Sequence, residues 1–152
     1  MGRCKISAGL KGARGTGPGE QCVVIDVLRA SSTVVTALSH GVGEIRAVAG
    51  VDEALALRKK KYVVAGERQC NAVPGFDLGN SPVELLSALR KRVIRKMALT
   101  TSNLTRVLAA CRRAYICSSL NLTAVSQAIA EVDVNIVAVG GPHGIVEDLG
   151  VA

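Results

Sequence analysis

Carboxylates, guanidinium groups and hydroxyls recur along the chain where apolar runs stop. Asp26 interrupts Val23-Val24-Ile25-Asp26-Val27-Leu28, and a carboxylate in a central strand is costly to bury unless it is paired or bound to a cation. It is therefore a metal-ligand candidate, with a structural ion pair to Arg29 as the alternative. Arg29 carries a planar fork that matches phosphate or sulfonate oxygens. Glu67 and Arg68 follow Gly66, and Asp77 lies in the loop Gly75-Phe76-Asp77-Leu78-Gly79-Asn80-Ser81-Pro82. Hard cations such as Mg²⁺ favour a set of carboxylates together with water, so Glu67 and Asp77 join Asp26 as candidates. Thr100-Thr101-Ser102-Asn103 concentrates hydroxyls and an amide into a phosphate cradle, and Ser118-Ser119 with Asn121 repeats the theme. Glu147-Asp148 is a candidate for metal binding or water activation, or else an exposed acidic pair. There is no Walker pattern and no GxGxxG, so a P-loop ATPase or a dinucleotide fold is not supported. His40 reads as a cationic or capping residue at a helix end, and His143 as a surface-loop histidine.

Short runs of Val, Ile and Ala alternate with longer stretches of helical spacing, the pattern of parallel strands joined by helical crossovers. Strands are expected at Cys22–Leu28, Glu44–Ala49, Tyr62–Ala65, Met97–Thr101, Ala114–Cys117 and Val134–Val139. Helices are expected at Ser32–His40, Val51–Lys60, Pro82–Lys91, Asn103–Arg113 and Asn121–Glu131. Ser81-Pro82 with Glu84 is a helix start, and Asn103 and Asn121 are suitable caps. Gly9–Gly19, with five glycines and one proline, reads as a loop or flexible arm holding no regular element. In such α/β folds ligands sit outside the carboxyl ends of the parallel strands, where the residues named above collect.

The chain has 152 residues, 49% of them hydrophobic and 20% charged, enough for one globular domain and too apolar for disorder. No apolar stretch approaches the roughly 20 residues a membrane helix needs, and Met1–Glu20 lacks the apolar centre of a secretory signal. A cytoplasmic address is expected. Five scattered cysteines form no CxxC pair or zinc-finger spacing, and are read as reduced thiols. A net charge of +7 calls for an anionic partner or a solvated surface. One Phe, two Tyr and no Trp supply almost no base-stacking platform, so a small polyanion is preferred to nucleic acid. The basic clusters Arg58–Lys61 and Arg90–Lys96 read as solvated helix ends. A homodimer would cover the edges of so short an α/β chain.

Several blocks resemble the 2-phosphosulfolactate phosphatase family. They are Val24-Ile25-Asp26-Val27-Leu28-Arg29-Ala30-Ser31-Ser32-Thr33, Gly66-Glu67-Arg68, Gly75 to Glu84, Thr100 to Asn103, Ser118-Ser119-Leu120-Asn121 and Glu147-Asp148, in the family's order. The resemblance implies a three-layer α/β/α fold around a mostly parallel or mixed central sheet. It also implies a Mg²⁺-dependent hydrolase that converts 2-phospho-3-sulfolactate, a small polyanionic phosphate ester, to 3-sulfolactate on the route to coenzyme M or other sulfonates. Mg²⁺ would be held by Asp26, Glu67, Asp77 and Asp148, and Asp26, Arg29, Glu67 and Arg68 would form the catalytic group. Thr101, Ser102, Asn103, Ser118, Ser119, Asn121, Asn80 and Ser81 would bind substrate. The sequence departs from the family at Leu104 and at Gln69-Cys70-Asn71, where glycine is usual. Residues 21–152 are read as a single phosphatase-like domain without the family's usual C-terminal continuation. The rival reading is a non-catalytic anion-binding or assembly relative.

Overall fold

Burial along β2 (Gln21–Ile25) falls on both faces: Cys22 and Val24 join one apolar cluster while Val23 and Ile25 join another. A strand covered on both sides reads as a continuous apolar run, the mark of a parallel sheet flanked by helices. The computed structural model describes residues 2–140 and 145–152. The remaining strands are β1 (Cys4–Ala8), β3 (Glu44–Ala47), β4 (Val63–Arg68), β5 (Asn71–Ala72), β6 (Lys96–Thr100), β7 (Ala114–Cys117) and β8 (Val134–Ala138). They form two four-stranded sheets, β1-β8-β2-β7 and β3-β6-β4-β5, where the alternation alone suggests one central sheet. Every pairing is parallel except β4–β5.

The helices are α1 (Gly9–Arg14), α2 (Ala30–Ser39), α3 (Val51–Ala56), α4 (Pro82–Lys91), α5 (Leu104–Leu108), α6 (Leu122–Ile129) and α7 (Val146–Leu149). One face of both sheets shares a cluster with α1, α2, α4 and α5, through Ala13, Val34, Leu85, Leu104 and Val107. The opposite faces are covered separately, the first sheet by Val125 of α6 and the second by Ala54 of α3 and Leu57. The architecture is therefore α/β in three layers. Burying a Leu, Ile or Met in these clusters contributes roughly 1.5–3 kcal/mol each.

The glycine-rich start corrects the expectation of an unstructured arm. Strand β1 runs beside β8, pairing Cys4 with Val134 and Ala8 with Ala138, and α1 follows it. Asn135, fully buried in β8, fixes this segment. Its Nδ2 donates to Gly12 O at 3.0 Å and Thr16 Oγ1 at 2.8 Å, and its Oδ1 accepts from Ser7 Oγ at 2.7 Å. Tertiary partners here outweigh weak local propensity.

Elsewhere the expected elements form with shifted ends. β4 continues to Arg68 because it pairs with β5 beyond Ala65. α3 gives way to a 3₁₀ turn at Leu57–Lys60 that closes at Lys61, whose φ is 64°. α5 stops at Leu108, and tighter bonds from Ala110 N to Val107 O and from Cys111 N to Leu108 O complete its turn. Asn103 and Asn121 occupy the positions before α5 and α6, yet neither side chain makes a cap bond. Ser81 does cap α4, accepting from Glu84 N. His40 ends α2, its Nδ1 2.9 Å from Thr36 O.

Candidate active site

At the carboxyl end of β2 the ladder stops because the next residue finds other partners. The Asp26 N–H donates to Ser31 Oγ at 2.9 Å and its carbonyl accepts from Ser31 N at 2.8 Å. Ser32 Oγ closes the same loop by donating to Val27 O at 2.8 Å. These hydroxyls thus shape the Asp26–Ala30 loop. The Asp26 side chain is 9% exposed, and its Oδ1 accepts from Ala30 N at 3.2 Å. Among the described residues its second oxygen has no hydrogen-bond partner and forms no ion pair, so the alternative of a bridge to Arg29 is not realised. Burial pushes the Asp26 carboxyl from its ordinary 3.8 up to about 6. The Ala30 N–H opposes that rise, and the negative charges of Asp148, Glu67 and Glu147 reinforce it. Arg29, exposed at the start of α2, has no side-chain partner among the described residues.

Asp148 is 2% exposed and clasps the exits of two neighbouring strands. Its Oδ1 accepts from Val27 N at 2.7 Å and its Oδ2 from Gly140 N at 2.9 Å. Burial raises its pKa against the pull of those two amides. Glu147 beside it is exposed. His143 and Gly141 lie outside the described residues.

The second sheet contributes Glu67 from the end of β4. Its Oε1 accepts from Ser102 N at 2.6 Å, and its Oε2 accepts from Cys70 N at 2.8 Å and Ser102 Oγ at 3.1 Å. Gly66 makes this approach possible: at φ +146° an added Cβ would lie 1.9 Å from Thr100 O. Arg68 is occupied as a brace, donating to Glu67 O at 2.7 Å, Ala49 O at 2.8 Å and Thr100 Oγ1 at 2.6 Å. Thr101 and Thr105 bond reciprocally, the Thr105 Oγ1 donating to Thr101 O at 2.9 Å. Asn103 has no side-chain bond to α5.

The other site candidates divide in the same way. Asn121 Oδ1 accepts from Ser118 N at 2.9 Å and its Nδ2 donates to Ile116 O at 2.9 Å, so Ser118 and Asn121 form a self-contained turn. Ser119 is exposed. Both Asp77 oxygens are engaged: its Oδ2 accepts from Val64 N at 2.8 Å and its Oδ1 pairs with Arg58 at 2.9 Å. Asn80, beyond the Leu78 bridge to β4, is 6% exposed, and its Oδ1 is a buried acceptor without a partner among the described residues. Leu104 packs fully buried in the shared cluster, and Gln69 and Cys70 turn the chain at φ 51° and 66°.

Among the described residues no three His, Cys, Asp or Glu side chains form a ready-made metal cage. Of the four expected metal ligands, Glu67, Asp77 and Asp148 have both oxygens engaged by protein donors, which leaves Asp26 as the one of these four with an oxygen to offer among the described residues. Mg²⁺ is commonly held by one or two carboxylates with water and substrate oxygens completing its shell, so this desolvated, negatively flanked carboxylate fits such a cation.

Residues 12–148 match the family described as 2-phosphosulpholactate phosphatase. The chain belongs to this family. Among curated 2-phosphosulfolactate phosphatases, a probable one of Thermotoga petrophila is 42% identical over 126 residues, covering 80% of this chain and 54% of the relative. The probable enzyme of Thermotoga maritima is 40% identical with the same coverage. The 2-phosphosulfolactate phosphatase of Methanothermobacter thermautotrophicus is 39% identical over 122 residues, 78% of this chain and 51% of that protein. The chain spans about half the length of the curated relatives it matches. Within the 2-phosphosulpholactate phosphatase match lie Asp26, Arg29, Glu67, Arg68, Ser102 and Asp148, at the exits of both sheets. The sequence had not revealed how these residues are used. Ser31 as the partner of the Asp26 backbone was signalled only by the hydroxyl run after Arg29, and Asn135 only by a lone amide in an apolar strand. No helix among the described residues is long and apolar enough to cross a membrane.

Proposed function

We propose that this chain hydrolyses 2-phospho-3-sulfolactate to 3-sulfolactate and phosphate with Mg²⁺ as cofactor. The observation that carries the reading is Asp26: a nearly buried strand-exit carboxylate, raised in pKa, with one oxygen and the nearby Arg29 both without a partner among the described residues. Membership of the phosphatase family supplies the reaction class and the substrate. The substrate carries phosphate, sulfonate and carboxylate groups, for which a chain of net charge +7 has long-range attraction.

Asp26 would hold the cation through its free oxygen, and the cation, when bound, would offset charge building on the transferring phosphoryl group. Arg29 would bind the anionic groups of the substrate, its guanidinium fork matching their oxygens. Glu67 and Asp148 act as positioning residues: they consume backbone N–H groups and so fix the loops around Asp26. Arg68 braces Thr100 and Ala49 in the same role. Asn80 Oδ1 is an acceptor available to an ordered water or to the hydroxyl that hydrolysis frees on 3-sulfolactate. This activity would sit in sulfonate synthesis, such as the route to coenzyme M, and in the cytoplasm.

Phosphate release from 2-phospho-3-sulfolactate, with Mg²⁺ and then with EDTA, tests the reading beside a generic aryl phosphate. Release that needs Mg²⁺, favours the sulfonated ester and disappears in Asp26→Asn is expected. A folded protein that binds sulfolactate or phosphate but releases nothing would favour the anion-binding relative instead.

A further inference from the structure

At the opposite end of β2 from Asp26, two thiols meet. Cys22 Sγ, buried at the start of the strand, lies 3.1 Å from Cys111 Sγ in the turn after α5. Cys111 is partly exposed, and its thiol also points to Val107 O at 3.4 Å. Both cysteines line a cavity of about 250 Å³ walled by the segments 13–14, 16–22 and 110–113. Arg14, Arg112 and Arg113 stand on that wall, and no ion pair among the described residues engages them. Glu20, the carboxylate on the wall, is already bound by Lys5 Nζ at 2.6 Å and Gly17 N at 2.7 Å. The cavity is thus cationic, with a dithiol reachable from it.

We propose that Cys22 and Cys111 form a modification site, a dithiol that closes to an intramolecular disulfide by exchange with a small anionic disulfide admitted through this cavity. Cys111, the more accessible sulfur, loses its proton and attacks one sulfur of the small disulfide. The mixed disulfide forms, and the departing thiolate takes up that proton. Cys22 sulfur then attacks the Cys111 sulfur, and its proton goes to the second departing thiolate. Two protein thiols are oxidised by two electrons and the external disulfide is reduced to two thiols. The sulfurs must close by about 1 Å to reach bonding distance. Burial, and then the contact with Cys22, pushes the Cys111 thiol up to about 12, so closure speeds up as pH rises.

The bond would tie the base of the Asp26 strand to the segment that follows Thr101-Ser102-Asn103. Spanning 89 positions, it would restrict the unfolded chain and raise Tm by roughly 10 °C. The test uses the full chain carrying Cys4→Ser and Cys70→Ser, which removes both exposed thiols and leaves Cys117 as an internal control. It is treated with oxidised glutathione at mildly alkaline pH, then denatured, alkylated and mapped by mass spectrometry. A mass lower by two hydrogens, a Cys22–Cys111 cross-linked peptide and a raised Tm are expected, all reversed by dithiothreitol and absent from Cys111→Ala. Cys22 and Cys111 that remain fully alkylatable, that stop at stable glutathione adducts, or that yield to a bond with Cys117 would overturn the proposal. Should Cys111→Ala not fold, the peptide map of the Cys4→Ser/Cys70→Ser protein decides alone.

Discussion

Asp26 and Glu67 are both carboxylates at the exits of parallel strands, one in each sheet, and the protein treats them in opposite ways. Glu67 receives N–H donors from Ser102 and Cys70 and the Ser102 hydroxyl, and so fixes the join between β4 and β6. Asp26 receives a single long bond from Ala30 and keeps one oxygen unpartnered among the described residues, beside other negative charges. A satisfied carboxylate contributes shape, whereas a desolvated and unsatisfied one keeps free energy available for a cation or a proton.

The contrast can be broken most severely from the second sheet. Gly66→Ala places a Cβ against Thr100 O and is expected to cost about 4 kcal/mol or more, read by urea denaturation. Asp26→Asn should leave stability equal or higher, since a charge is no longer buried, yet reduce the proposed phosphate release by about 10²–10³-fold. Mg²⁺ should raise the Tm of the parent protein at neutral pH and leave that of Asp26→Asn unchanged, which differential scanning calorimetry checks.

A pH series sharpens the same point. Because the Asp26 pKa is raised in the folded state, the folded protein binds that proton more tightly than the unfolded chain does. Its contribution to stability is therefore full below 3.8 and falls as pH rises to about 6, by about 3 kcal/mol in total. Subtracting the profile of Asp26→Asn isolates it. Glu67→Gln should cost about 2 kcal/mol, because an amide nitrogen cannot accept the donors that both Glu67 oxygens now receive. Native-state hydrogen exchange should show faster exchange at Ser102 and Cys70. Arg58→Ala gives the smallest effect, about 0.5 kcal/mol or less by thermal denaturation, because its pair with Asp77 is largely solvated.

Asp26 was legible in the sequence as a carboxylate inside an apolar strand, and the strand exits were legible as places where polar residues collect. Saturation was not: Glu67, Asp77 and Asp26 look alike until backbone donors are positioned, and Asp77 then proves committed to Val64 and Arg58. The helix start at Ser81-Pro82 was readable because its signal is local. By contrast, β1 was hidden because its stability lies in β8 and in Asn135, far away in sequence, while its own neighbourhood is rich in glycine. The division into two sheets is likewise a property of long-range register that periodicity does not encode.

The pairing of β1 with β8 also sets an order of events. The parallel core of the second sheet, β3, β4 and β6, draws on residues 44–100 and can assemble from contacts between neighbouring segments. The first sheet has β8 between β1 and β2, so β2 can pair with β7 earlier but β1 must wait for residues 134–138. Contacts so distant along the chain are slow to form, and on a ribosome the Asp26 loop would remain without its Asp148 clasp until about 120 further residues had been made.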